Sequence, residues 1–158
     1  MKIRKLTLAA LTTATLSVTL YVQAADGPHD DAIEARQALM KLQNYNVGLL
    51  FAMAKEKIPY DPDVAAEAAN NLDALVNLGQ SQLWPAGSDS ATEGNATNRA
   101  LPAIWETYPK IVEKSEALTS AVAALVPVAG NGLEAMQDAV GDVGGTCKSC
   151  HDDFREER

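Results

Sequence analysis

The sequence predicts an all-α protein, an antiparallel up-down-up-down bundle of four helices. Three observations predict it. Four stretches of about 20 to 27 residues place apolar side chains three and four positions apart, the spacing of one helix face. No stretch alternates with the period of two expected of a half-buried strand. Aromatic residues make up only 5% of the chain while Ala and Leu are common, a balance that favours helices. At 158 residues and 47% hydrophobic content the chain can bury one core and is too apolar for disorder.

An export address precedes the first helix. Met1-Lys-Ile-Arg-Lys5 is basic, Leu6 to Val22 is uncharged and mostly apolar, and Val22-Gln23-Ala24 offers small residues at a peptidase site. Residues 1–24 read as a cleavable signal peptide that leaves a mature domain, 25–158, in the periplasm. The alternative is an uncleaved anchor, for which the apolar stretch is short. Cleavage removes three cations and no anion, taking the net charge from −8 to −11. A chain so acidic is not built to bind nucleic acid, and an anionic membrane surface repels it.

The first helix is expected from Asp31 to Lys57, capped by Asp30 or Asp31 and ended by Pro59. Ile33, Met40, Val47, Phe51 and Ile58 follow one face, and Leu39, Leu42, Leu50 and Met53 broaden it. The second is expected from Asp63 to Leu83 after the Asp61-Pro62 start signal, burying Val64, Ala68, Leu72, Leu75 and Gly79. Residues 84–100 are rich in Gly, Ser, Asn and Thr and read as the one long loop. The third helix is expected from Pro102 to Leu125, with Ile104, Tyr108, Ile111, Ser115, Leu118, Val122 and Leu125 on one stripe. Pro109 obliges it either to kink or to begin near residue 108. After Pro127 and Gly130 the fourth runs from Asn131 to Glu156, with Leu133, Met136, Val140, Val143, Cys147, His151 and Phe154 on related faces. Gly141, Gly144 and Gly145 each cost this helix about 1 kcal/mol relative to Ala. That cost suggests that something bulky approaches its backbone.

One motif carries chemistry. Cys147-Lys148-Ser149-Cys150-His151 is a C-x-x-C-H box, the attachment signature of c-type haem. The chain has two Cys and two His, and three of those four residues fall in this one stretch. On a helix the three side chains share an arc of about 100°. Two thiols can then form thioethers to the haem vinyl groups while the imidazole reaches the iron. The alternatives are a redox C-x-x-C, which lacks its βαβ setting, a zinc site, which lacks ligands, and a disulfide closing only a short loop. Haem c, one per chain, is the expected cofactor, with His151 as the metal ligand.

Only seven residues follow His151, so a second axial ligand has to come from upstream. Candidates are Met40, Met53, Met136 and His29, of which Met136 lies too far back along the same helix to fold over the iron. Arg36 stands one turn before Met40 and can pair with a haem propionate, although an Arg at such a position is more often a solvated surface residue. Arg99 is a second candidate for a propionate. Asp152 and Asp153 are expected to face solvent.

Taken in order, several segments resemble the cytochromes c′ over essentially the whole mature sequence. They are Arg36-Gln-Ala-Leu-Met40, Ile58-Pro-Tyr-Asp61, Leu83-Trp-Pro-Ala-Gly-Ser-Asp89, Leu101-Pro-Ala-Ile-Trp105, Gly141-Asp-Val-Gly144, and His151-Asp-Asp-Phe-Arg155 beside the box. The resemblance implies haem bound covalently at Cys147 and Cys150, with His151 the only protein ligand of a five-coordinate, high-spin iron. It implies that Arg36 and Gln37 contact the haem edge and that Met40 covers the vacant face without ligating. It implies further that Trp84 lines the same distal pocket, that Arg155 lies on the proximal side, and that homodimers form through the first two helices. A Met at position 40 also matches low-spin relatives of the fold in which that Met binds iron.

Two roles follow as expectations. A vacant face covered by Met40 and apolar neighbours suits NO and CO better than O₂, which needs a hydrogen-bond donor. Alternatively, the chain is an electron carrier whose acidic surface steers it to basic periplasmic redox proteins, a reading strengthened if Met40 ligates. No convergent acid/base set points to an enzyme.

Overall fold

In the computed structural model residues 27–157 are described; the signal peptide expected at 1–24 lies outside them. The elements are α1 (Asp30–Ala54), α2 (Pro62–Val76), a 3-10 turn at Ser81–Leu83, the short α3 (Ala103–Glu106), α4 (Tyr108–Leu125) and α5 (Leu133–Phe154). Each long helix packs on two neighbours: α1 on α2 and α5, and α4 on α2 and α5. The four therefore stand at the corners of a square, as the expected bundle requires.

The helix ends follow local chemistry. Asp61 caps α2, its Oδ1 accepting from the N–H groups of Asp63 (3.0 Å) and Val64 (3.1 Å), with Pro62 in the first turn. α1 departs from expectation at both ends. His29 holds its N-cap position without a side-chain bond, while Asp30 accepts from Gly27 N and Ala96 N. The helix stops at Ala54, because Glu56 turns left-handed (φ 53°) and Lys57 N donates back to Ala52 O. α2 stops seven residues before Leu83. Asn77 Nδ2 donates to Asp73 O (2.9 Å), competing with the backbone ladder where Gly79 offers it little support. The Pro109 ambiguity resolves in favour of a break. The chain turns at Thr107, and Pro109 becomes the second residue of α4, where no backbone N–H is needed.

The core lies toward one end of the bundle. Leu50, Met53, Leu72, Leu125, Met136 and Val140 are buried there among a stripe of α2 alanines. Three stripes sit differently from the expected ones; on α4, Tyr108 and Ser115 are exposed and only Val122 and Leu125 are buried. On α1 the buried line is Ile33, Arg36, Leu39, Asn46, Leu50 and Met53, leaving Met40, Leu42 and Ile58 exposed. On α2, Ala65, Ala68, Ala69, Leu72 and Val76 are buried and Val64 is exposed, while Gly79 lies exposed beyond the helix end. At this end Tyr60 joins the two interhelix links, its Oη donating to Ala129 O (2.8 Å) and accepting from Gly132 N (3.0 Å). Gln137 Nε2 of α5 donates to Ala54 O at the end of α1 (2.7 Å), so these neighbours run antiparallel.

The glycines of α5 do not act alike. A Cβ on Gly144 would stand 2.6 Å from Phe51 Cζ, so this glycine admits the Phe51 ring of α1. Gly141 and Gly145 face open space.

Candidate functional site

The C-x-x-C-H box occupies the last two turns of α5, at the end of the bundle away from the main core. Cys147, Cys150 and His151 are all half-buried, and both thiols are free. Burial pushes both thiols above their ordinary pKa, with Cys147 adding to the effect on Cys150 and the Lys114 ammonium opposing it. Burial also lowers the His151 pKa, assisted by the charges of Arg155 and Arg99 and opposed by Asp152. A lowered pKa favours the neutral imidazole, the form that offers a lone pair to a metal.

A c-type haem fits this arrangement. Two sulfurs and one imidazole nitrogen lie along one face of a helix, the donor set that such a group uses. Among the described residues no three His, Cys, Asp or Glu side chains converge as they would around a single ion. The apolar surface at this end is also incompletely buried by protein. Cys147 and Leu118 border the core, Ile111 is half-exposed, and Met40 is 37% exposed. Met53 and Met136, at 1% and 0% exposure, are locked in the main core, which removes both as candidates for a second axial ligand.

Arg36 departs most from its expected setting. It is not a solvated surface residue; it is only 3% exposed. Its Nη1 donates to Ser88 Oγ (2.6 Å) and Leu83 O (3.4 Å), and its Nη2 to Ser88 O (2.5 Å) and Asn98 Oδ1 (3.1 Å). The guanidinium carbon lies 4.7 Å from the centre of the Trp84 ring, a cation–π stack. Burial lowers its pKa and nearby Asp89 raises it. Asp89 is itself buried and caps the turn at Ala91 and Thr92. Gln37 reaches the same loop, its Nε2 donating to Thr97 O (2.9 Å). Trp84 is half-buried; its carbonyl accepts from Trp105 Nε1 (3.2 Å), and the two rings are 6.5 Å apart.

Arg99 is placed beside the box by the chain itself. Its Nη2 donates to Glu156 O, and its charge acts on His151. Around it the loop pairs with the chain after α5: Leu101 N donates to Phe154 O (3.0 Å), Glu156 N to Arg99 O (3.0 Å), and Ala100 bridges Arg155 antiparallel.

Two features escaped sequence reading. Ser88 and Asn98 hold a buried cation across the loop, yet in sequence they read as ordinary turn residues. Asp153 does not simply face solvent. It pairs with Lys110 (3.2 Å) and Lys114 (3.1 Å) of α4, while Lys114 Nζ also donates to Ser149 Oγ (2.5 Å). The four-residue spacing of both pairs, Lys110/Lys114 and Ser149/Asp153, was the available signal. Asp152 does stay exposed, paired with Lys148.

Comparison with known proteins gives the family. The family model described as "Cytochrome C'" matches residues 31–155. The chain is 41% identical over 145 residues to a cytochrome c′ of Cereibacter sphaeroides, covering 92% of this chain and 96% of that one. It is also 41% identical over 124 residues to a cytochrome c-554 of the same species, covering 78% and 92% respectively. The solved cytochrome c′ from Rhodobacter Spheriodes superposes with a TM-score of 0.79 at 40% identity, covering 82% of this chain and 98% of that one. A solved cytochrome c′ described as having ligand-controlled dimer dissociation superposes at 0.73 with 29% identity, covering 81% of this chain and 96% of that one. A nitric oxide complex of a cytochrome c prime variant from Alcaligenes xylosoxidans superposes at 0.68 with 27% identity, covering 80% and 95%. With a four-helix bundle ending in a C-x-x-C-H helix and a family match across nearly all the described residues, the chain belongs to the cytochrome c′ family and carries covalent haem c.

Proposed function

We propose that this protein is a periplasmic haem protein of the high-spin type, which binds NO or CO on one side of the haem and exchanges electrons with redox partners. The observation that carries the reading is the side-chain set along the last two turns of α5: two half-buried cysteines and a half-buried histidine on one helix. Cys147 and Cys150 hold the ring by thioethers, and His151 is the single protein ligand. When bound, the haem would supply a redox-active iron able to take a diatomic ligand.

This chain's residues shape that open side. Met40, exposed on α1, brings no N–H or O–H group. Arg36 is nearby, but its terminal donors are committed to the 83–98 loop. A ligand that depends on a strong donor, such as O₂, is thereby disfavoured relative to NO and CO. The nitric oxide complex of a variant of a relative supports NO as a ligand.

Two further expectations belong to this reading. Leu42 (53% exposed) and Tyr45 (69%) on α1, with Val64 on α2, leave an apolar face that suits a homodimer, as the dimer-forming relative supports. The leader ending at Ala24 supports export and cleavage, and no described helix is long and apolar enough to cross a membrane.

The test is the visible spectrum of the ferrous holoprotein before and after CO. A five-coordinate, high-spin spectrum that changes fully on adding CO supports the proposal. A low-spin spectrum indifferent to CO, converted to a CO-binding one by Met40→Ala, would instead make Met40 an iron ligand and the protein a dedicated electron carrier.

A further inference from the structure

We propose that Asn131-Gly132, in the link between α4 and α5, is a latent site of spontaneous deamidation that Tyr60 holds closed. The site lies at the end of the bundle opposite the C-x-x-C-H box and stands apart from any reading of the haem.

The sequence supplies the reactive pair. Asn131-Gly132 is the one Asn-Gly step in the chain. In such a step the glycine nitrogen, with no Cβ on its residue to hinder the approach, can attack the side-chain amide carbon of the asparagine. Base takes the Gly132 N–H proton, the bond from Gly132 N to Asn131 Cγ forms, and the Cγ–Nδ2 bond breaks. Ammonia leaves and a succinimide remains. Water then opens the ring to aspartate or isoaspartate, and no oxidant or reductant enters. Asn131 is exposed, so water and base reach it.

Folding holds the two reacting groups away from each other. Gly132 N–H donates to Tyr60 Oη (3.0 Å), and Oη donates in turn to Ala129 O (2.8 Å). An acceptor on that N–H favours its protonated form and opposes the first step. The electron pair left by the proton would also point at Tyr60 rather than at Cγ. Asn131 Nδ2 is turned back onto Pro127 O (2.5 Å), which anchors the amide at the other end of the turn. Gly132 is held on its far side too, its carbonyl accepting from Met136 N (3.2 Å) in the first turn of α5. The link is seated on α2, because a Cβ on Gly130 would stand 3.1 Å from Pro62 O. Reaction therefore requires a local opening that breaks the Tyr60 bond.

Once formed, the products resist reversal of that opening. Either one adds a negative charge at the head of α5. The isoaspartate also adds a backbone carbon before Gly132 N, so that this N–H no longer meets Tyr60 in register. Tyr60 thus protects the joint on which two helices turn as well as pinning it.

The test follows deamidation of the mature holoprotein in mildly alkaline buffer, by mass mapping of the peptide that carries Asn131. The wild-type chain unfolded in denaturant should deamidate at Asn131 at least tenfold faster than the folded one. Tyr60→Phe, kept below its melting range, should react at least fivefold faster than folded wild type. Gly144→Ala disturbs the same bundle through Phe51 and leaves Tyr60 in place, so it should stay within twofold of wild type. Equal rates in Tyr60→Phe and wild type overturn the proposal. So does a Gly144→Ala rate as high as that of Tyr60→Phe, which would make general unfolding the cause, or an unfolded chain that leaves Asn131 intact. Should Tyr60→Phe fail to fold, wild type alone decides. Folding should slow deamidation at least as much as it slows hydrogen exchange of the Gly132 amide. A site that deamidates readily while that amide stays protected overturns the proposal.

Discussion

Replacing Gly144 with Ala should destabilise the protein, although the same change at Gly141 or Gly145 should stabilise it. All three glycines lie inside α5, where Ala is favoured over Gly by about 1 kcal/mol. At Gly141 and Gly145 the added methyl meets nothing within 4 Å, so that gain is realised in full. At Gly144 the methyl carbon would stand 2.6 Å from Phe51 Cζ and 3.2 Å from Cε2. Carbon atoms in good contact are about 3.5–4.0 Å apart. Phe51 packs against the main core and cannot simply swing into solvent. Overpacking of this kind costs about 1–3 kcal/mol, which outweighs the helix gain in most of its range. The propensity contribution cancels between Gly144→Ala and Gly141→Ala, so their difference isolates the clash at about 1–3 kcal/mol. For a domain of this size that is roughly 4–10 °C in melting temperature. Far-UV circular dichroism melts of the holoproteins read it directly. A second variant sharpens the result, because Phe51→Leu in the Gly144→Ala background removes the obstructing ring and should be strongly non-additive. If Gly144→Ala melts as high as Gly141→Ala, the account of the α1–α5 contact is wrong.

Other perturbations follow from the same structure. Tyr60→Phe leaves Ala129 O and Gly132 N without their shared partner and should cost about 1–3 kcal/mol in guanidinium denaturation, with the haem spectrum unchanged. The pair Leu42→Asp and Tyr45→Asp places charge on the exposed α1 face; sedimentation should show monomers where the unaltered chain forms dimers, again with an unchanged spectrum.

The sequence revealed the bundle because helix periodicity and start signals are local. Asp61-Pro62 marked α2 correctly, and the Pro109 ambiguity already contained the α3–α4 break. Helix ends were less legible. Leu78 and Leu83 prolong the apolar pattern of α2, but Asn77 and Gly79 withdraw backbone support after Val76. The rotation of the α1 stripe was hidden for a related reason. Periodicity cannot say which of two apolar sides meets the core, and the buried side here includes a charged residue, Arg36, that any polarity pattern assigns to solvent. The box itself was plain, since Cys147, Cys150 and His151 lie within one turn of each other on a single helix. The partners of Arg36 lie about 50 to 60 positions away along the chain and carry no spacing rule, so only the folded loop brings them together.

The account depends above all on how α5 holds its cofactor. Intact-mass analysis of the mature protein, followed by mass mapping of its α5 peptides, addresses that directly when the protein is made in a host able to attach haem c. The expected result is one haem per chain, carried covalently on the segment containing both Cys147 and Cys150. A chain of unmodified mass, with both thiols open to alkylation, would contradict it.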